Sequence, residues 1–155
     1  MEGCPGSRMQ DFRQKPSAKP EPTGSRESEL RQWPIQLHLV SPMAPYYAKA
    51  DVLLSADCVA YTVGDFHKDY LKDKSIAIAC PKLDEGLDTY EEKITSLIDD
   101  AKINTLTVMT MQVPCCAGLV GIAQTAAGKA KRKIPIKSIV VSLQGDILKE
   151  EWLSD

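Results

Sequence analysis

The chain has 155 residues, 43% of them hydrophobic and 26% charged, which suffices for one ordinary domain and falls short of two of typical size. Its 19 Lys and Arg stand against 21 Asp and Glu, a formal charge of −2 that supplies no global field to hold nucleic acid or an acidic membrane surface. No apolar run approaches the ~20 residues that span a bilayer, and the first residues, MEGCPGSRMQDFRQK, lack the apolar centre of a secretory signal, so a soluble cytoplasmic protein is expected, with neither nucleic acid nor membrane as partner.

Residues 1–32 mix Gly and Pro with Ser, Gln, Lys, Arg and Glu and carry little to bury, so they read as a flexible polar arm or linker. From Trp33 onward the composition changes, and 33–155 read as a single α/β domain. Alternation over 35–40 predicts a strand with Ile35, Leu37 and Leu39 on one face, stopped by Pro42 and Pro45. A short helix over 45–50 and a strand over 51–56 follow, with Cys58 directly after the strand. A weak helical stretch over 65–71 precedes the apolar strand 75–79, which ends at Cys80-Pro81. Asp88 and Glu91 resemble a capping box, and Tyr90, Ile94, Leu97, Ile98 and Ala101 form one helical stripe that Asn104 ends. The β-branched stretch 105–113 is a buried strand closed by Pro114-Cys115-Cys116. A helix over 117–131 ends in basic residues suited to a helix C-terminus, and a strand over 136–143 precedes a turn at Gln144-Gly145-Asp146 and a short tail.

Strand and helix therefore alternate about five times, as in a three-layer open, mostly parallel sheet of about five strands with helices on both faces, of the Rossmann-like or flavodoxin-like kind. Right-handed crossovers gather the carboxyl ends of such strands at one edge, where ligands bind.

Five Cys against two His is the unusual feature, and an odd count argues against a closed set of disulfides. Cys58, Cys80 and the pair Cys115 and Cys116 each follow a predicted strand, so three distant segments bring four thiols to one edge. Thiolates select zinc, copper(I) or iron–sulfur centres, and an iron–sulfur cluster usually takes four. At the start of a helix, Cys115 and Cys116 are also expected to have a lowered pKa, which suits a ligand and a redox nucleophile alike. His67, shortly after Cys58, is the histidine placed to join such a site, whereas His38 is expected on an exposed strand face. Free cysteines also pack as small hydrophobes, so inert thiols are the competing expectation. Cys4 lies in the polar arm, with no partner in view.

Other chemistry is thin. The sequence has no G-x-G-x-x-G after a strand, no phosphate loop and no H-E-x-x-H. Gly118 and Gly121 read as small residues for close helix-to-sheet packing. Asp57, Asp65 and Asp84 read as turn and cap residues, and Tyr46, Tyr47 and Tyr61 as either edge or core. No paired-carboxylate or Ser/His/Asp arrangement stands out.

Five stretches carry a resemblance: GCPGS from Gly3, LRQWPIQL from Leu30, ADCVAY from Ala56, CPKLD from Cys80 and VPCCAGL from Val113. Together, in order, they resemble the C-terminal region of ferredoxin-type iron–sulfur proteins of anaerobic bacteria and archaea. In that family an N-terminal module with two C-x-x-C-x-x-C-x-x-x-C-P motifs holds two [4Fe–4S] clusters. No such motif occurs here, so the chain is expected to correspond to the companion domain alone, by truncation or by loss of the ferredoxin half. The resemblance implies an iron–sulfur or metal-binding accessory role in electron transfer beside a ferredoxin module or oxidoreductase partner. Cys58, Cys80, Cys115 and Cys116 would then hold an iron–sulfur cluster, or else zinc. The residues leave two further readings open: a thiol-redox or small-molecule-binding domain using Cys115 or Cys116, and a structural docking domain with inert cysteines. On none of these readings is a catalytic residue assigned.

Overall fold

A computed structural model describes residues 8–13 and 24–153. Cys4 lies outside the described residues, as do 14–23 of the region read as an arm. Within that region, strand β1 (Gln10–Asp11) pairs antiparallel with β2 (Gln32–Trp33).

The main sheet is built from β3 (Asp51–Ala56), β4 (Ser75–Ala79), β5 (Thr105–Met111), β6 (Ile136–Val141) and β7 (Ile147–Leu153) in the order β4-β3-β5-β6-β7. The first four run parallel and β7 is antiparallel, which bears out the expected open, mostly parallel sheet. Register brings the strand ends level: Ala56 lies beside Ala79, Ser55 beside Met109, and Met111 beside Val141. Helices α1 (Val59–Thr62), α2 (Leu87–Asp99) and α3 (Pro114–Lys129) connect the strands. With right-handed crossovers, α2 and α3 lie on one face and the β3-to-β4 connection on the other; α2 and α3 pack side by side.

Covered on both faces, β3, β4 and β5 are buried along almost their whole length, apolar and small polar side chains such as Ser55, Thr107 and Thr110 alike, because each alternating side chain meets a layer of core. Tyr90, Ile94, Leu97 and Ile98 bury one stripe of α2, and Cys116, Leu119, Ala123 and Ala126 one stripe of α3. Their small residues let α3 lie close to the sheet. Tyr46 and Tyr47, in a 3₁₀ turn over Pro45–Tyr47, are fully buried and belong to the core.

Four local expectations are corrected. The predicted strand at 35–40 makes only a single parallel bridge, Gln36 to Ile78, before the backbone turns, with the amides of Leu39 and Val40 both donating to the Gln36 carbonyl. Lys93 Nζ holds the turn by donating to the carbonyls of Leu37, His38 and Val40 at 2.8–3.0 Å. The helical stretch 65–71 is a π-type turn over His67–Leu71. Helix α2 is entered from Gly86 in a left-handed conformation rather than from an Asp88 cap. The tail after Gly145 is a full strand, β7, whose sequence shows no period of two because it is exposed on nearly every residue.

Both edges of the sheet were open to further pairing, and one is closed by a side chain. Gln32 is fully buried, its Oε1 accepting from Ile76 N at 2.6 Å while Nε2 donates to Ile76 O at 2.9 Å. This amide imitates a neighbouring strand and seals β4. Among the described helices none is long and apolar enough to cross a membrane.

Candidate functional site

The carboxyl ends of the parallel strands form the edge where chemistry was expected. From β3 the chain steps to β4 on one side and then, through α2, crosses back to β5 on the other. The strand order reverses between β3 and β5, the point at which open sheets of this kind accept ligands. Cys58 borders it after β3, as the residue capping α1, with its carbonyl accepting from Thr62 Oγ1 at 3.0 Å. On the other side of the reversal β5 leads to Val113, in extended conformation, and to Pro114 at the first position of α3. Proline suits that position because its missing N–H would have had no helical partner.

Cys115 and Cys116 occupy the first turn of α3 rather than preceding it. Helical phase then separates them. Cys116 falls on the core stripe and is 6% exposed, while Cys115 is exposed, as is Cys58. Burial pushes the Cys116 thiol up, with the nearby sulfurs of Cys115 and Cys58 adding to the effect and a backbone hydrogen bond from Met111 partly offsetting it. The expected lowering therefore does not hold for Cys116: desolvation outweighs the helix terminus. Cys115 and Cys58, from segments far apart in sequence, both act on Cys116 in this upward direction.

Cys80 is half-buried at the end of β4. Its amide donates to Asp84 Oδ2 at 2.9 Å, its carbonyl accepts from Asp84 N at 2.8 Å, and Tyr90 O–H donates to the same carboxylate oxygen. Asp84 is thus the clasp of this loop. Gly118 of α3 lies against the loop, where a Cβ would touch Pro81 at 3.7 Å. Between the loop and α3 opens a groove of about 910 Å³, bordered by Pro81, Lys82, Leu87, Pro114 and Cys115. Gly118 thus serves a close approach of loop to helix rather than of helix to sheet, while a Cβ at Gly121 would meet nothing within 4 Å.

His67 sits apart in its own turn, where Nδ1 accepts from Glu29 N at 3.0 Å and the ring meets Phe66 edge-on. His38 is packed on Tyr90 with ring centroids 4.2 Å apart. Asp65 forms surface ion pairs with Arg26 and Lys68, and Tyr61 stands 94% exposed beside Cys58 in α1. Among the described residues no three His, Cys, Asp or Glu side chains are grouped so as to hold a metal ion. The four soft donors share an edge, yet as placed they do not fit a common metal or cluster.

The residue underrated in sequence is Asp57. One carboxylate oxygen is buried with no hydrogen-bond partner among the described residues. Burial first, and then the charge of Asp84, push its carboxyl up, against a Gln36 hydrogen bond that lowers it. Its position between a strand end and a cysteine was the available signal.

Comparison with known proteins agrees with the architecture. A family model described as a Rossmann-like domain matches residues 44–154. A protein of Archaeoglobus fulgidus, described as uncharacterized, is 29% identical over 120 residues, covering 77% of this chain and 83% of its own length. No solved structure matches.

Proposed function

Since the chain belongs to the Rossmann-like domain family, in whose open sheets ligands settle beside the carboxyl ends of the strands where their order reverses, we propose that it is a small-molecule-binding module with thiol-redox chemistry, its site at the reversal between β3 and β5. The observation that carries this reading is the placing of Cys58 directly after β3 and of Cys115 and Cys116 in the first turn after β5, the two neighbouring strands that flank that reversal. Cys115 is the attacking thiol, because it is exposed in the first turn of a 16-residue helix whose free N–H groups face the same edge. With a disulfide-bearing ligand, the Cys115 thiolate forms a sulfur–sulfur bond to one ligand sulfur and expels the other as a thiolate. Cys58 then attacks the Cys115 sulfur, releasing the second ligand sulfur and leaving a Cys58–Cys115 disulfide; two electrons have passed to the ligand. Cys116, buried and protonated, stays out of the exchange.

The test is titration of a Cys4→Ser variant with 5,5′-dithiobis(2-nitrobenzoate), followed by intact mass and peptide mapping. Loss of two hydrogens, no retained adduct and a Cys58–Cys115 link are expected. Separate stable adducts on the two thiols, with no internal link, would overturn the reading.

An iron–sulfur or zinc accessory role beside a ferredoxin module or oxidoreductase is the second reading, supported by the resemblance and by the placing of Cys58, Cys80, Cys115 and Cys116 on one edge; His67 lies apart from it. It requires side-chain rearrangement before the thiols share a metal. Anaerobic reconstitution with iron and sulfide, and separately with zinc, decides it: a colourless protein without bound metal rules it out. Failure of both tests leaves the docking-domain reading.

A further inference from the structure

We propose that β7 is the interface of a homodimer, two copies pairing antiparallel through this strand so that their sheets join into one of ten strands. The two outer strands of the sheet are treated unequally. Beside β4, Gln32 and the Gln36–Ile78 bridge occupy the outward hydrogen-bonding groups. Beside β7, among the described residues, nothing pairs on the outer side: it is the last strand in the sheet order. It is also seven residues long and keeps Leu148 and Trp152 56% and 59% exposed. An open strand of this length with apolar side chains is a template for another strand.

The occupant follows from the sequence of the strand, Ile147-Leu148-Lys149-Glu150-Glu151-Trp152-Leu153. In an antiparallel pair related by a two-fold axis, pleating allows only registers centred on a residue, so that opposed side chains share a face. Centring on Glu150 sets Lys149 opposite the partner's Glu151 and Glu151 opposite the partner's Lys149. Trp152 flanks these pairs on one side, and the regular pleat ends on the other at Lys149, where a bulge leaves Leu148 without a partner in β6. Only the central Glu150 meets its own kind, and each Glu150 is already paired with Lys137 of its own chain. Moving the centre by one residue sets Lys149 against itself in one direction, or Glu151 against itself and Trp152 against Glu150 in the other. Cross-strand pairs of opposite charge stabilise and like pairs destabilise, so the strand is self-complementary in a single register. Lys149 and Glu151 also form an ion pair within one chain at 3.0 Å, so both heads already lie on the same face.

Sedimentation velocity of the full chain under reducing conditions, which exclude linkage through exposed thiols, tests this. The wild type is expected to be a dimer at micromolar concentration. Lys149→Glu and Glu151→Lys should each weaken self-association by roughly tenfold or more, since each turns two opposite-charge pairs into like-charge pairs. An equimolar mixture of the two variants restores attraction at both positions and should dimerise, as should the double exchange Lys149→Glu with Glu151→Lys. Restoration by mixing is a readout that simple destabilisation of a strand does not produce. A wild type that stays monomeric, or a dimer indifferent to the charge reversals, would overturn the proposal.

Discussion

Asp57 shows how a single carboxylate at a sheet edge couples stability to pH. Its neutral form is favoured in the folded state by burial and by Asp84, so folding tightens its hold on the proton. For a group raised in this way, the stabilisation is complete below the unfolded pKa near 3.8 and is lost as pH rises through the folded value. Above that folded value the wild type has lost it. Asp57→Asn keeps the shape and removes the charge, so it should melt higher than wild type at pH 7, with the gain shrinking as pH falls toward 4. Thermal melts between pH 4 and 8 check this; a variant less stable than wild type throughout would show that the charged form is held by partners the geometry does not reveal. A second residue-scale expectation concerns the thiols. Iodoacetamide at pH 7 should label Cys58 and Cys115 well before Cys116, because the reacting thiolate is both scarce and enclosed at Cys116. Peptide mapping over time reads the order. That these thiols follow strands was legible in the sequence, since apolar runs end visibly at Cys58, Cys80 and Cys115. The division between Cys115 and Cys116 was not, because it depends on the helix starting at Pro114, and only then does the 116, 119, 123, 126 phase apply.

At the scale of elements, side-chain amides and glycines decide what the hydrophobic pattern leaves open. Gln32→Leu preserves bulk but deprives Ile76 N–H of its acceptor in a buried place. A lost buried partner costs about 2–3 kcal/mol, or roughly 5–10 °C in Tm for a domain of this size; calorimetry measures it, and a change under about 1 °C would mean that another group takes over the edge. Gly145 lies in the β6–β7 turn at φ +94°, where an added Cβ would come 2.5 Å from the Thr62 carbonyl oxygen. Gly145→Ala therefore combines backbone strain with overlap and should cost about 2 kcal/mol or more. Because α1 carries both Thr62 and the Cys58 cap, its displacement should also alter the rate at which Cys58 is alkylated. The strands at 51–56, 75–79 and 105–111 were readable because burial on both faces leaves short runs of apolar and β-branched residues with few charges. The supposed strand at 35–40 misled because alternating Ile35, Leu37 and Leu39 describe a turn in which Leu37 is buried and Leu39 exposed. Strand β7 escaped because an edge strand with little core contact has no burial to impose a period.

For the whole molecule, alternating strands and helices fixed the layers, while the strand order, and with it the position of its reversal, had no local signature. Which side of β3 receives β5 depends on crossovers that span the sheet, and so the two segments bearing Cys58 and Cys115 could be placed on one edge from sequence but not beside the same reversal. The same architecture sets a gradient of local stability. Strands β3 and β5 have paired neighbours on both sides and core on both faces; β7 has one neighbour and exposed side chains. Amide exchange should accordingly be slowest in β3 and β5, and fastest among the strands of the main sheet in β7. The dimer makes a further demand on this gradient. Pairing of two β7 strands supplies partners for the outward amides, so protection of β7 should rise with protein concentration while that of β3 and β5 stays constant. Hydrogen exchange read by mass spectrometry at two concentrations on either side of the dimerisation midpoint measures both. If β7 exchanges equally fast at each concentration although the protein dimerises, the interface lies elsewhere on the surface.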